Sequence, residues 1–392
     1  MKKIILLGFA CCMAIVSYGQ KTVDDSFNPL ITGVPSLGIA PDAIGGGMGD
    51  IGISSIPTMN SQYWNSSKYA AMEGVGGLAL SYTPWLSKIV HDINLAYLSG
   101  YYRIGEQAGT LSGSLRFFSL GTINLTDVNN TPIGIAKPYE MALDFGYSRK
   151  LAENFSMGVN LRFIASNLSI PNDENYKTGY GFSADINGFY SLPIELNSGT
   201  SKFNFGFNIS NIGTKISYDG ISSNFLPTNI GIGAGYIIPF DKYNRLAINL
   251  EANKLLVPSR KSKFATGFNK DSVNTWTMSD PQYSSIGIVD GMIKSFYDAP
   301  GGFKEEMQEI NWSAGAEYAY NEQFFVRAGY HNESANKGNR KYFTVGAGFK
   351  WTAFRLDVGY VIGVVPSNPL DQTLRFTLTF DVNGLKELTD NK

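Results

Sequence analysis

From residue 76 onward, apolar and polar residues alternate for about ten positions at a time, and the pattern recurs about fourteen times with turns between copies. In the clearest copy Phe155, Met157, Val159, Leu161 and Phe163 share one face, and Ser156, Gly158, Asn160 and Arg162 share the other. A period of two places successive side chains on opposite faces of an extended strand. Strands are expected at 76–84, 91–103, 107–119, 137–150, 154–166, 177–190, 201–213, 226–239, 242–256, 308–320, 322–332, 340–351, 353–363 and 370–383. A soluble sandwich also alternates. Repetition, strand length and an export signal together point instead to an all-β, transmembrane antiparallel β-barrel of about 14 strands with long extracellular loops.

The polar faces carry the charges. Arg162, Asp185, Glu251, Glu317, Arg327, Asp357 and Arg375 all avoid the greasy set of their strand. A charge facing lipid at mid-membrane would cost ~2–4 kcal/mol, so a barrel requires this sorting. The expected setting for these residues is a network of paired side chains in the lumen. Tyr82, Trp85, Tyr101, Tyr102, Tyr147, Tyr190, Tyr236, Tyr318, Tyr320, Tyr330, Trp351 and Tyr360 fall near strand ends, as in an interfacial girdle. Connections alternate between short and long, Leu192 to Thr200 being the exception among the short ones. Short turns belong to the periplasm and long loops to the outside, which places both chain ends in the periplasm.

The start of the chain reads as an export signal. Lys2 and Lys3 precede an apolar run from Ile4 to Val16, and Ser17-Tyr18-Gly19 forms a small-x-small site before Gln20. The run is short of the ~20 apolar residues a membrane anchor needs. Phe9 and Gly8 fit a lipobox on Cys11 poorly. The expected organisation is a signal peptide at 1–19, a periplasmic or lumen segment at 20–75, the barrel at 76–383 and a periplasmic tail at 384–392. Both cysteines, Cys11 and Cys12, fall inside the signal, so the mature chain is expected to have no thiol chemistry. The segment from Lys21 to Glu73 lacks alternation and includes Gly45-Gly46-Gly47-Met48-Gly49. No strand–loop–helix frame with Lys-Ser/Thr surrounds it, so it reads as backbone packed in tight turns rather than a phosphate loop.

Composition changes the picture little. Of 392 residues, 43% are hydrophobic and 13% aromatic, with 43 glycines. Mean hydropathy is nevertheless only -0.09, because lumen-facing polar residues dilute it. No later stretch approaches a continuous apolar twenty-mer, which excludes a helical membrane protein. The formal charge of -1, and the lack of a dense basic patch, give no footing for nucleic acid.

Candidate chemistry is sparse. The two histidines, His91 and His331, stand at strand ends with no nucleophile motif, and read as exposed loop-end residues. No metal-ligand cluster or cysteine pair is evident, so neither a cofactor nor an enzymatic activity is expected. The connection from Val257 to Gln308 is far longer than ordinary loops. Ile286, Val289, Ile293 and Phe296 in it repeat at the spacing of one helix face, and Asp298 to Phe303 stops the helix. An exposed apolar face marks a docking site or a lid over the barrel mouth. The candidate partner-binding residues are Ile286, Val289, Ile293, Phe296 and Phe303, with Trp85 from the first long loop.

Several stretches resemble a known family. They are Gly33-Val34-Pro35 with Leu37, Ile39 to Ala43, Gly46 to Asp50, Ser81 to Leu86, Asp92 to Leu95 with Tyr97-Leu98, Gly113 to Arg116 with Phe118 to Gly121, and Asp298 to Phe303. On these the chain resembles the PorV (LptO) family, FadL-like outer-membrane proteins of the type IX secretion system of Bacteroidetes. Where FadL-like chains often carry Asn-Pro-Ala, this one has Asn65-Ser66-Ser67. The resemblance implies a fourteen-stranded barrel integral to the outer membrane. It also implies that the barrel binds the C-terminal signal domain of secreted cargo, takes it from the large translocon barrel and delivers it to a sortase-like attachment complex. Outer-membrane lipid and lipopolysaccharide would be its surroundings. Fold alone leaves a FadL-like channel for hydrophobic compounds as the alternative.

Overall fold

Fourteen antiparallel strands close into one barrel in a computed structural model of the chain, which describes residues 27–87, 90–105, 107–168, 176–196, 198–260, 281–365, 368, 370–382 and 384. In chain order the strands are β1 (Gly76–Pro84), β2 (Ile93–Gly105), β3 (Gly109–Leu120), β4 (Ile123–Thr126), β5 (Pro132–Ala136), β6 (Tyr139–Ala152), β7 (Phe155–Asn167), β8 (Gly179–Leu196), β9 (Gly199–Gly213), β10 (Asn229–Pro239), β11 (Asn244–Leu255), β12 (Ile310–Tyr320), β13 (Phe324–Asn332), β14 (Lys341–Trp351), β15 (Phe354–Gly363) and β16 (Leu374–Asp381). The ring closes where β1 pairs with β16, with Leu80 opposite Leu378. Closure matters because hydrocarbon offers no hydrogen bonds to an open edge. No helix among the described residues is long and apolar enough to cross a membrane.

Every expected strand is present, and the face assignment holds. Leu80, Phe145 and Leu161 are exposed on the outer wall, whereas Arg327 and Arg375 are 1% exposed inside it. Aromatic rings band both ends of the wall. Trp312, Tyr330 and Phe343 form one row with centroids 5.6 and 4.9 Å apart, and the pairs Phe324–Phe349 and Phe354–Phe380 lie at the other end. Tyr101, expected in the girdle, instead faces inward and stacks on Tyr69 at 5.0 Å.

Three departures from the sequence reading have plain causes. Residues 120–136, expected as a loop, contain the β4–β5 hairpin, whose turn is held by Asp127 Oδ1 accepting the Asn129 and Thr131 N–H groups at 2.8 Å each. β8 runs on to Leu196 and turns at once to Gly199, so the long gap expected after residue 190 does not exist. Pro193 suggests a break there, yet it lies past the last β7 partner, Tyr190, where β8 is an edge that tolerates a missing donor. The described start of the chain also lies at the long-connection end, opposite to the expected periplasmic side. Asn28 N–H donates to the Asn336 carbonyl at 2.9 Å, in the β13–β14 connection.

Residues 27–75 therefore run down the lumen to Gly76 at the short-turn end. A barrel of this girth needs such filling to exclude a channel. The segment folds as single turns, Pro35–Gly38, Ala43–Gly46, Ser61–Trp64 and Ser66–Ala71. The wall supplies the partners that so short a chain cannot supply itself. Glu251 Oε2 accepts the Gly52 and Ile53 N–H groups at 2.9 Å each. Thr377 Oγ1 accepts from Ala43 N–H at 2.9 Å, and Asn65 Nδ2 donates to the Gly188 carbonyl at 2.9 Å. The glycine run is packed backbone, as read from the sequence. Gly49 has φ +82°, and a Cβ there would lie 2.9 Å from backbone atoms of Tyr330.

Candidate functional site

The long connection after β11 gives three short helices, Pro281–Ser285, Ile288–Lys294 and Phe303–Gln308, before β12 begins. Residues 261–280 of it lie outside the described residues. Gly291 lets the middle helix lie close on the Phe225 ring, where a Cβ would be 2.9 Å from the nearest ring carbon. The opposite side of that helix is bare. Val289 is 66% exposed, Ile293 56% and Phe296 53%, and Phe303 reaches 81% on the next helix.

Two of the six sequence candidates are elsewhere. Ile286 precedes the helix, which starts only at Ile288, and is buried with Phe225, Val257 and Tyr283 against the barrel rim. Its place in the periodic pattern is therefore a coincidence of spacing. Trp85 is half-buried, edge-on to Phe118 at 6.5 Å and packed on the Tyr342–Val361–Leu370 cluster. The exposed patch is thus Val289, Ile293, Phe296 and Phe303, extended by Tyr297 and Met307, which the periodicity does not mark.

Beneath the patch, an ionic clasp fixes the loop. Lys254 Nζ bonds Glu306 Oε2 at 3.2 Å and Glu309 Oε2 at 2.5 Å, and Lys337 Nζ bonds Glu305 Oε1 at 2.7 Å and Glu309 Oε1 at 2.9 Å. Asn28 Nδ2 reaches both Ser259 Oγ at 2.7 Å and Glu305 Oε1 at 3.0 Å, tying in the start of the lumen segment. Asp298 Oδ2 accepts from Ser259 N–H at 2.7 Å. Burial pushes the Asp298 carboxyl up to about 7 against the pull of that hydrogen bond, with Glu309 and Glu306 adding to the rise. For Glu305 burial also works upward, but the bonds from Lys337 and Asn28 outweigh it and hold the carboxyl below its usual value. Asp298, Glu306 and Glu309 bring one oxygen each within 4.8 Å of one another, a spacing that would suit a cation. The Lys254 ammonium already supplies positive charge to two of them.

Below the clasp a cavity of about 430 Å³ lies between the lumen segment and the wall of β9–β14. Most charged groups near it are paired within the protein, and Glu251, which has no ion pair among the described residues, is held by the Gly52 and Ile53 N–H groups and the Asn253 amide. Arg162 holds Asp144 at 2.7 Å and Asp185 at 2.9 Å, Arg375 holds Asp50, and Arg340 holds Glu333 at 2.7 Å. His331, expected at an exposed loop end, lines this cavity instead, with Nδ1 2.9 Å from Ser313 Oγ and its ring stacked on Tyr342 at 4.9 Å. His91 is exposed.

The family description "Type IX secretion system protein PorV" matches residues 21–262, well over half of the chain. The chain belongs to the PorV family. Barrel and PorV membership together make it an outer-membrane protein associated with type IX secretion. No curated protein sequence matches it. Among solved structures, a TodX monoaromatic hydrocarbon channel variant superposes with a TM-score of 0.50 at 10% identity, covering 86% of this chain and 96% of that one. The P. putida toluene transporter TodX gives 0.48 at 10%, over 87% and 98% of the two chains. A Pseudomonas aeruginosa FadL homologue gives 0.41 at 12%, over 90% and 99%. At such identities the likeness concerns the FadL-like fold alone.

Proposed function

We propose that this barrel captures the C-terminal signal domain of secreted cargo with its long connections at the cell surface. It takes the cargo from the translocon barrel and passes it to a sortase-like attachment complex. The observation that carries this reading is the exposed patch of Val289, Ile293, Phe296 and Phe303 on a loop that the Lys254–Lys337 clasp holds in place. Exposed apolar groups on an ordered support lose little entropy when a partner covers them. Family membership supplies the secretion context. The reading is of a binding protein without covalent chemistry. In support, Ser313 is buried in the lumen with its hydroxyl 2.9 Å from His331 Nδ1, out of reach of a large substrate.

The test replaces Val289, Ile293 and Phe303 by aspartate and counts cargo attached to the cell surface. The expected result is a loss of about tenfold or more, since interface anchors cost about 2 kcal/mol or more each on truncation. The barrel should still insert and migrate as a folded band. Unchanged attachment would reject the docking role.

A further inference from the structure

The wall of the cavity carries a line of side-chain amides. On four neighbouring strands, Asn208 of β9, Gly231 of β10, Asn253 of β11 and Asn311 of β12 lie in one line of register. All face the lumen, so the wall presents a row of side-chain amides with a glycine gap. On β8, Asn187 continues the line opposite Asn208, but its oxygen is taken by Ser66 Oγ at 3.1 Å and Ser67 N–H at 2.8 Å of the lumen segment. An amide offers two donor hydrogens and an acceptor oxygen with two lone pairs. Those of the row are only partly used. Asn208 Nδ2 donates to the Trp64 carbonyl at 2.9 Å, while Asn208 Oδ1 and Asn311 Oδ1 are buried with no partner among the described residues. Asn253 accepts from Asn229 at 2.9 Å and donates to Glu251 at 3.0 Å, leaving half its capacity.

The opposite side of the cavity, from the lumen segment, is largely apolar, with Leu30, Leu37 and Ile53 beside two aromatic residues. Tyr63 and Trp64 of the lumen segment line it, edge to face with centroids 4.8 Å apart. Trp64 Nε1 donates to Asp42 Oδ2 at 2.7 Å and Arg116 sits over the Tyr63 ring at 4.9 Å, so what these residues offer the cavity is ring surface rather than polar groups. We propose that this cavity binds an uncharged saccharide of one or two rings. Sugar hydroxyls both donate and accept, as the amide row does, and the C–H face of a pyranose suits the rings opposite. A charged ligand is disfavoured because the nearby arginines already hold carboxylates and Glu251 is engaged by hydrogen bonds, so the ligand's own charge would be desolvated without an ionic partner. A hydrocarbon is disfavoured because it would strip water from amides that it cannot hydrogen-bond. The volume of about 430 Å³ lies low in the ~300–1,000 Å³ range of small-molecule pockets, which limits the ligand to this size.

The experiment uses the full detergent-purified chain and saturation-transfer NMR. Chitobiose and maltose serve as free-sugar probes, the uncharged hexyl glucoside as the glycolipid probe in a detergent without a sugar headgroup, and toluene as the apolar control. Saturation transfer to at least one saccharide is expected, with none to toluene. The double variant Asn253→Ala with Asn311→Ala should weaken it by about tenfold or more, as expected when a built polar site loses its partners. Its heat-modifiable migration should be unchanged. If the pair disturbs folding, Asn311→Ala alone, at a position whose side-chain oxygen has no partner among the described residues, gives the same reading with a smaller loss. Transfer to a disaccharide identifies free sugar as the source, and transfer to hexyl glucoside alone identifies a membrane glycolipid. No transfer to any saccharide, transfer that survives both variants, or displacement by toluene would overturn the assignment. Cargo attachment is read separately, so failure here leaves the docking proposal standing.

Discussion

Gly329 sits where the wall of β13 meets the lumen segment, and a Cβ added there would lie 2.1 Å from the carbonyl carbon of Met48. Side chains of any size would push the two backbones apart. Gly329→Ala should therefore loosen the lumen segment by about 1–3 kcal/mol, the usual range for overpacking. Hydrogen exchange of residues 43–53 checks this: faster exchange is expected while the barrel band on gels is unchanged. Exchange equal to wild type would mean that the contact carries no load. The same logic separates what was legible at this scale from what was not. Arg162, Glu251 and Arg375 are readable as lumen residues because lipid would reject them. Which partner each one meets depends on chain segments far apart in sequence, such as Asp50 brought under Arg375 or Gly52 and Ile53 under Glu251.

Among elements, the helical loop of residues 281–309 has a pH dependence that its clasp makes checkable. Docked Asp298 keeps its proton up to about 7, whereas an undocked aspartate releases it near 3.8. Docking thus takes up a proton between those values. Since the docked state binds more protons, it gains stability as pH falls through 7 and loses it as pH rises. Glu305, held below its usual value, stays ionised and keeps Lys337 in place through most of that window. Protease cleavage within 281–309 should slow from pH 8 to pH 5 in the wild type. In Asp298→Asn it should be flat over that span. A wild-type rate independent of pH would refute the account. The strands of the wall are readable from alternation alone, but β4–β5 and the exact helix start at Ile288 are not. Two short strands beside a turn look like a loop, and a spacing of three and four residues cannot say where a helix begins.

For the whole molecule, the decisive property is that the barrel is occupied. The lumen segment is bonded to the wall at Ala43, Gly52, Ile53 and Asn65. Planar-bilayer recordings of the purified chain should therefore show no steady open-pore conductance, and deletion of residues 27–71 should create one. A wild-type conductance comparable to that of the deletion would contradict an occluded barrel. An occluded barrel is also consistent with work done at its rim rather than through it.

Hydrophobic period, charge placement and loop lengths, all written locally in the chain, determine the barrel, its strand number and its lipid-facing side. They do so because hydrocarbon tests every strand separately, and a misplaced charge or open edge is costly wherever it falls. Tertiary structure alone decided the rest: the downward path of residues 27–75 through the lumen, the clasp joining Asn28, Lys254, Glu309 and Lys337, and the amide row across β9 to β12. These features arise from residues tens to hundreds of positions apart. Their energy comes from meeting in a closed lumen, where an unmet polar group is costly, and no local pattern records which partner it will find.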